Sequence, residues 1–377
     1  MGSIVQGPSQ VLSRITRYLP TQAESLAFSL TSGELQVAGE TQLYHNVVFN
    51  LNDSSSDERR LEAFVRCLMT RQDRCSWVHS LSVTLSNRSL TRMEHKILAI
   101  IINILPSLRI FKYIDYSDND DSVYHTAIDF HPPRHPLQTE TSLQQFTCLN
   151  ANILDQEPFL AFLHFHHGLQ HLEFSEDVLN VPHLGKGILP NLETLRAPID
   201  VILRLLPGRN IKRVKTTVSE DMAPVWVHVP RTAFATVQVL SSTVRGDAEE
   251  LRESLVLQMN NLEFLEIEDE TCISTSILRR TKIKFLRLRN LWGEFSSRVV
   301  FNRVPALECI ELQHTVELSV GVISLRWCRD VEKPYIISWD CNTKEEWLGD
   351  WRKDLFVRSD EEFEADDAPT LDDDEVL

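Results

Sequence analysis

The sequence predicts an α/β protein whose core is a series of short parallel strands alternating with helices. Three observations lead to this prediction. A strand-like segment with apolar residues at its first, fourth and sixth positions recurs ten times between residues 78 and 312. Helical apolar patterns fill most of the intervals between these segments. A proline stands at several junctions, where it ends a helix and turns the chain into the next strand.

Three short helices are predicted before the repeats. A helical stripe over 8–19 ends at a proline, a second stripe covers 23–30, and a weaker helix follows over about 34–44. Alternating apolar residues over 47–51 then predict a strand. Helices this short bury little apolar surface by themselves. We therefore expect residues 1–51 to form a module that packs on the repeats or binds a partner.

The ten strand-like segments start 19 to 35 residues apart. They are Val78-Leu81-Val83, Leu108-Phe111-Tyr113, Leu143-Phe146-Cys148, Leu169-Leu172-Phe174, Leu192-Leu195-Ala197, Ile211-Val214-Thr216, Val237-Leu240-Ser242, Leu262-Leu265-Ile267, Ile283-Leu286-Leu288 and Leu307-Ile310-Leu312. A repeat of roughly 20–29 residues with one strand and one helix is typical of a curved α/β solenoid. This predicts a solenoid over residues 52–340, with its helices on the convex side.

Local signals place the intervening helices. Thr91 and Glu94 have the spacing of a capping box, which starts an apolar helix that ends before Pro106. Asp247 is expected to cap a helix over 248–259. The alternative architecture is a doubly wound α/β sheet, which also alternates strands and helices. The short, evenly spaced strands and the lack of a glycine-rich phosphate turn favour the solenoid.

The C-terminal part has two features. Residues 344–357 predict an amphipathic helix with Trp347, Leu348, Trp351 and Leu355 on one face. This helix, assigned to residues 341–358, either caps the open end of the solenoid or binds a partner. The segment 359–377 contains ten acidic residues and no Lys or Arg. We expect a disordered tail that either increases solubility or docks to a basic partner.

The charge balance excludes some partners. The whole chain has a formal charge of −16, against −6 for residues 1–358. Neither value suits a protein that binds nucleic acid or an anionic membrane surface. The seven scattered cysteines and the N-terminal sequence without a basic signal region predict a cytoplasmic or nuclear protein.

Residues 8–51 resemble the F-box. The resemblance depends on a proline before an apolar helix, a second Leu/Ala-rich helix and a third helix that ends in Leu-Tyr before an apolar strand. The family's module binds the small adaptor subunit of a cullin–RING ubiquitin ligase. The resemblance implies that this subunit is contacted by Pro8, Val11, Leu12, Ile15, Leu19 and Leu26. Residues 31–34 depart from the family pattern, and Gly33 is expected to weaken the third helix.

Residues 57–340 resemble the irregular leucine-rich repeats of many fungal F-box proteins. The similarity lies in the period and in the strand pattern. The asparagine ladder of regular repeats is missing, because Asp200 and Thr315 are among the residues that stand at the ladder position. We therefore expect a less regular solenoid that is held together mainly by helix and strand packing.

No motif predicts catalysis, a metal or a cofactor. His164, His166, His167 and His171 are close in sequence, but no further ligands complete a zinc set. The acidic residues in 115–121 lack the glycine of a calcium loop. The longest interval between strands contains the insertion 115–142, which is either a recognition loop or a surface insertion.

The sequence thus predicts a non-catalytic substrate-recognition adaptor of a cullin–RING ligase complex, monomeric outside that complex. The alternative is an interaction scaffold with a decayed F-box and no ligase role. An enzyme with an unrecognised site is a third hypothesis. Outward strand positions place an unknown protein substrate on one face of the sheet. The candidate residues are His171, Glu193, Lys212, Arg213, Glu263, Phe264, Lys284, Phe285 and Arg287.

Overall fold

We describe the fold from a computed structural model. The described residues are 22–52, 54–86, 91–116, 143–149, 156–174, 187–220, 231–268, 273–289, 297–315, 322–329 and 335–339. Several predictions fall outside these ranges. They concern the helix over 8–19, most of the insertion 115–142, the helix over 344–357 and the tail 359–377.

Nine α-helices lie in the described residues, and nearly all of them fall in predicted helical intervals. They are α1 (Gln22–Ser29), α2 (Gly33–His45), α3 (Ser54–Thr70), α4 (Arg92–Ile104), α5 (Gln156–Phe165), α6 (Ile199–Leu205), α7 (Glu249–Gln258), α8 (Thr275–Leu278) and α9 (Ser297–Arg303). The predicted capping box is confirmed, since Thr91 Oγ1 accepts from Glu94 N and Glu94 Oε2 accepts from Thr91 N.

The described part of the chain has thirteen strands. They are β1 (Asn46–Leu51), β2 (Ser80–Leu85), β3 (Ile110–Asp115), β4 (Gln145–Leu149), β5 (His171–Phe174), β6 (Thr194–Arg196), β7 (Arg213–Ser219), β8 (Val239–Arg245), β9 (Phe264–Ile267), β10 (Phe285–Arg289), β11 (Cys309–Thr315), β12 (Val322–Cys328) and β13 (Tyr335–Trp339). Each of the ten predicted segments supplies one strand, from β2 to β11.

All thirteen strands form one sheet, and their order in the sheet follows their order in the chain. Strands β1 to β11 are parallel, whereas β12 and β13 pair antiparallel. A doubly wound sheet reverses its strand order at a switch point. No reversal occurs among the described strands, so the doubly wound alternative is wrong.

The apolar core lies on one face of the sheet. Residues at the first, fourth and sixth positions of all ten segments are buried, including Thr216 and Ser242. Helical side chains such as Leu98 and Phe162 belong to the same apolar cluster. Phe146 lies near the middle of this core, with its ring centroid 5.7 Å from that of Phe111 and 5.3 Å from that of Phe162.

Local details at two places differ from the predictions. Gly33 begins α2 rather than weakening it, since Ser32 caps this helix by accepting from Leu35 N at 3.2 Å. Asp247 is not the cap of α7, because Ala248 occupies the cap position and the Asp247 N–H instead donates to Glu220 Oε1. Glycine is tolerated in the first turn of a helix, where hydrogen bonding from a cap fixes the backbone.

Both ends of the sheet contain strands whose pairing the sequence did not predict. Strand β1, assigned to the N-terminal module, pairs with β2 over six residues, from Asn46 opposite Ser80 to Leu51 opposite Leu85. The predicted domain boundary after residue 51 therefore lies between two strands that are hydrogen-bonded neighbours. At the other end, the antiparallel strands β12 and β13 lie in a region where only parallel repeats were expected.

Candidate functional site

The second face of the sheet is the candidate functional site. Because side chains alternate along a strand, this face presents the third, fifth and seventh positions of each segment. We call it the polar face. Of the nine candidate residues, five lie on it: His171, Arg213, Phe264, Phe285 and Arg287.

The other four candidates, Glu193, Lys212, Glu263 and Lys284, precede their strands by one residue. They form a row along the edge at which the strands begin. In this row Glu193 Oε1 is 3.1 Å from Lys212 Nζ, and Lys284 Nζ is 3.9 Å from Glu308 Oε1. These ion pairs are exposed, so each contributes little to stability. The prediction from sequence therefore combined residues of two different surfaces, the polar face and this edge of the sheet, into one site.

An apolar row runs across strands β8 to β11 of the polar face. It consists of Val239, Phe264, Phe285 and Cys309, and Cys328 of β12 packs against it. The rings of Phe264 and Phe285 are stacked with centroids 4.7 Å apart, and their exposed fractions are only 2% and 1%. In this structure the two rings therefore leave almost no free surface for contact with a substrate.

A charged row lies beside this apolar row. It consists of Glu266, Arg287, Glu311 and Arg326, all of them buried, on β9 to β12. Arg287 Nε is 3.2 Å from Glu311 Oε1, and Arg287 Nη1 is 3.6 Å from Glu266 Oε1. Arg326 donates to Glu311 Oε2 at 2.7 and 2.9 Å. Arg287 is thus a structural member of a buried network as well as a candidate binding residue.

The rings of Phe264 and Phe285 lie close to the guanidinium groups of the charged row. The guanidinium carbon of Arg287 lies 5.4 Å from the ring centroid of Phe264 and 5.7 Å from that of Phe285. Arg326 lies 5.6 Å from the Phe285 centroid. The electron-rich ring faces attract the guanidinium groups.

The carboxylates of this network are held ionised. Burial has the largest influence on Glu266 and Glu311 and by itself would raise the pKa of each. The nearby guanidinium groups of Arg287, Arg289 and Arg326 outweigh it, so the pKa of both carboxyls lies below the usual value of 4.5. Arg289 is central for Glu266, with Nη2 2.6 Å and Nε 2.7 Å from its Oε1.

A pH dependence of stability follows from these lowered pKa values. The unfolded chain binds a proton near pH 4.5 at each carboxyl, whereas the folded chain binds it only at lower pH. The stabilisation is therefore complete above about pH 4.5 and is lost as the pH falls through the folded pKa. Urea unfolding from pH 7 to pH 3 should show this loss. The Glu311→Gln variant should lose part of the pH dependence, and an unchanged profile in that variant would contradict the assignment.

The polar face is more accessible toward β2 to β8. Lys112, Arg196 and Arg213 are half-buried there, and Arg245 is exposed. Lys215 Nζ is 2.8 Å from Glu268 Oε1, and Arg289 Nη1, whose side chain also contacts Glu266 of the charged row, is 3.7 Å from the same oxygen. In the same region His171 and Arg213 both pair with Thr194, from opposite sides. Burial first, and then this arginine, lowers the pKa of His171.

The clustered histidines do not converge on one point. The His166 ring packs against Phe162 with centroids 4.3 Å apart and the ring planes tilted by 57°, and burial lowers the pKa of His166 to about 4. His164 and His167 are exposed, and His171 lies on β5. Within the described ranges, no group of three or more His, Cys, Asp or Glu residues is positioned to hold a metal ion.

At the N-terminal end, only one of the predicted ligase contacts falls in the described residues. Leu26 lies on α1 with an exposed fraction of 51%, and Leu30, directly after α1, is 77% exposed. The remaining predicted contacts, Pro8 to Leu19, precede the first described residue. On helix α2, Val37 is also exposed, with an exposed fraction of 52%.

Sequence reasoning missed Glu266, Glu311 and Arg326. The signal for two of them was present, since Glu266, Arg287 and Glu311 all occupy the fifth position of consecutive segments. Opposite charges at one position of neighbouring parallel strands predict a cross-strand ion pair. Arg326 had no such signal, because it reaches the row from an antiparallel strand.

No protein-family model matches this chain, and no curated protein matches it significantly. Among the described residues, no helix combines the length and apolar character that a membrane span requires. The functional conclusion therefore depends on the geometry of the chain itself.

Proposed function

We propose that this protein is a non-catalytic substrate-recognition adaptor of a cullin–RING ubiquitin ligase. Its N-terminal helices would dock the ligase's small adaptor subunit, and its repeats would bind a protein substrate. The observation that carries the proposal is the exposed apolar surface of Leu26, Leu30 and Val37 beside a sheet of tandem repeats. Large exposed apolar patches mark protein–protein interaction sites.

The proposal includes a leucine-rich-repeat-type solenoid with its helices on the convex side. Three facts support it. The strand order follows the chain order, one core register recurs in ten repeats, and helical side chains share the core of only one sheet face. Each repeat then contacts mainly its neighbours, as in other solenoids. The polar face would be the concave side, which is the usual binding surface of such folds.

One observation favours the alternative, a scaffold whose N-terminal helices only cap the solenoid. Helix α2 is firmly attached to the first repeat. Arg74 Nη2 is 3.0 Å from Glu40 Oε2, Tyr44 Oη is 2.9 Å from Cys67 Sγ, and the Tyr44 and Phe64 rings stack at 6.2 Å. A module that closes the end of a sheet needs such contacts. They do not occupy Leu26 or Leu30.

Affinity purification separates the two functions. The tagged native chain is expected to recover the ligase adaptor and cullin subunits. Variants Leu26→Asp and Leu12→Asp/Ile15→Asp should lose at least 90% of the recovered adaptor subunit, about a tenfold loss of binding. The reason is that a carboxylate cannot enter an apolar interface without a large desolvation cost.

The matched control is Ile100→Asp, which introduces the same charge at an exposed apolar position of α4. It should leave recovery unchanged, and circular dichroism should show that all variants keep their secondary structure. If the native chain recovers neither subunit, the ligase role is wrong and the scaffold is favoured. If Leu26→Asp unfolds the protein, the N-terminal helices act as a structural cap.

A further inference from the structure

Two cysteines face each other where strands β11 and β12 meet. Cys309 is the first residue of β11 and Cys328 is the last residue of β12, and the antiparallel register places them directly opposite each other. Their Sγ atoms are 4.0 Å apart, and both side chains are reduced thiols. They lie at the end of the apolar row on the polar face. The proposed function makes no use of this pair.

The backbone at this pair has the spacing that a disulfide requires. Arg329 N donates to Glu308 O at 3.0 Å, so these two residues form a hydrogen-bonded pair of the antiparallel ladder. Hydrogen-bonded pairs alternate with narrower, non-hydrogen-bonded pairs whose Cα atoms are about 4.5 Å apart, and Cys309 with Cys328 is the next pair along. Disulfides join Cα atoms roughly 4.4–6.8 Å apart. Rotation of the two side chains can therefore bring the sulfur atoms to the bonding distance of about 2.0 Å.

Contacts on both sides of Cys328 fix its alignment with β11. Two residues earlier, Arg326 donates to Glu311 Oε2 at 2.7 and 2.9 Å. One residue later, Arg329 Nε donates to Leu307 O at 2.9 Å. Groups held close together in a fixed orientation react much faster than the same groups free in solution. The two sulfurs are therefore positioned to react with each other once one of them is oxidised.

We propose that Cys309 and Cys328 form a reversible redox site, which a hydroperoxide converts into a disulfide that joins β11 to β12. Cys328 is partly exposed, whereas Cys309 has an exposed fraction of 1%, so the oxidant reaches Cys328 first. The Cys328 thiol beside it and then burial raise the pKa of Cys309. Cys309 is therefore protonated and is a poor first nucleophile. This site is independent of the ligase role.

The oxidation consists of two steps. The Cys328 thiolate first attacks one oxygen of the hydroperoxide and breaks the O–O bond, which leaves a sulfenic acid (S–OH) on Cys328. The other oxygen leaves with the thiol proton, as water or as an alcohol. The Cys309 sulfur then attacks the Cys328 sulfur, and the hydroxyl group leaves as water with the Cys309 proton. The two sulfurs together lose two electrons, which the peroxide bond gains, and an excess of a reducing thiol reverses the change.

The disulfide would stabilise the C-terminal end of the sheet. Strands β12 and β13 are the antiparallel strands at this end, and β12 carries Arg326 of the charged row. A cross-link between two positions 19 residues apart restricts the unfolded chain. It also attaches β12 covalently to the last parallel strand, at an end of the sheet where local opening is easiest. Oxidation would therefore hold Arg326 against Glu311 more firmly.

The test treats the full chain with hydrogen peroxide, alkylates the remaining thiols and analyses a non-reduced tryptic digest by mass spectrometry. Trypsin separates the two cysteines, because it releases Cys309 in the peptide 304–326 and Cys328 in the peptide 327–329. In most of the oxidised chain the two peptides should be linked, with a mass about 2 Da below the sum of their masses. Dithiothreitol should separate them. Peptides that stay unlinked, or that are linked to other cysteines instead, would overturn the proposal.

Single variants assign the two roles. In Cys309→Ser, oxidation of Cys328 should stop at the sulfenic acid, which dimedone labels, whereas Cys328→Ser should show at least tenfold less label on Cys309. The matched control is Cys67→Ser, which removes another partly exposed thiol and should leave the linked peptides unchanged. Circular dichroism confirms that each variant is folded.

Thermal unfolding measures the effect of the cross-link on stability. Peroxide should raise the Tm of the native chain and of Cys67→Ser by about 3 °C, and it should not raise the Tm of Cys309→Ser or Cys328→Ser. An equal rise in Cys309→Ser, or stronger dimedone labelling of Cys309 than of Cys328, would count against the site as described.

Discussion

Replacing Glu311 with alanine is expected to lower the free energy of unfolding by about 3–5 kcal/mol. Glu311 is fully buried and is the shared acceptor for Arg287, Arg326 and Gln313. Its removal leaves two guanidinium groups buried with less negative charge to balance them. Urea unfolding at pH 7 measures the loss.

The control for this prediction is Glu193→Ala, which also removes a carboxylate from an ion pair. The pair of Glu193 with Lys212 is exposed, so its loss should cost less than about 1 kcal/mol. The prediction is that Glu311→Ala lowers the free energy of unfolding much more than Glu193→Ala does. A loss below about 1 kcal/mol for Glu311→Ala would mean that the charged row contributes no more than an exposed pair.

Replacing Phe146 with alanine is expected to cost about 3–5 kcal/mol. The ring is fully buried on β4 among four other phenylalanine rings, those of Phe111, Phe159, Phe162 and Phe174. Truncation removes these contacts and leaves a cavity that tandem repeats on both sides prevent from collapsing. Thermal and urea unfolding both measure the effect.

Two variants check the origin of this loss. Phe146→Leu keeps most of the apolar volume and should cost about 1–1.5 kcal/mol. Ile100→Ala changes an apolar side chain that is 46% exposed on α4, and its effect should stay within about 0.5 kcal/mol. Similar losses for Phe146→Ala and Ile100→Ala would contradict the placement of the core.

The residues assigned to the polar face show why the sequence predicted the binding surface only in part. Strand alternation correctly assigned His171, Arg213 and Arg287 to the polar face. It also assigned Phe264 and Phe285, which do lie on that face but are buried against each other. Alternation indicates the direction of a side chain. It does not indicate whether neighbouring strands already cover it.

The sequence by itself determined the repeating core. One rule, apolar residues at positions 1, 4 and 6, identified ten strands. The rule works because every repeat buries the same face of its strand against its own helix, so the same apolar spacing recurs along the sequence. The capping box at Thr91 and Glu94 was equally readable, since its hydrogen bonds join residues three apart.

Only the tertiary structure decided what lies between repeats. The pairing of β1 with β2, the antiparallel strands β12 and β13, and the network of Glu266, Arg287, Glu311 and Arg326 all depend on the register between strands whose paired residues are 7 to 34 positions apart. A local pattern fixes which face a side chain takes. Its partner on the neighbouring strand is fixed only when backbone hydrogen bonds align the two strands, and burial of the charges then follows from that alignment.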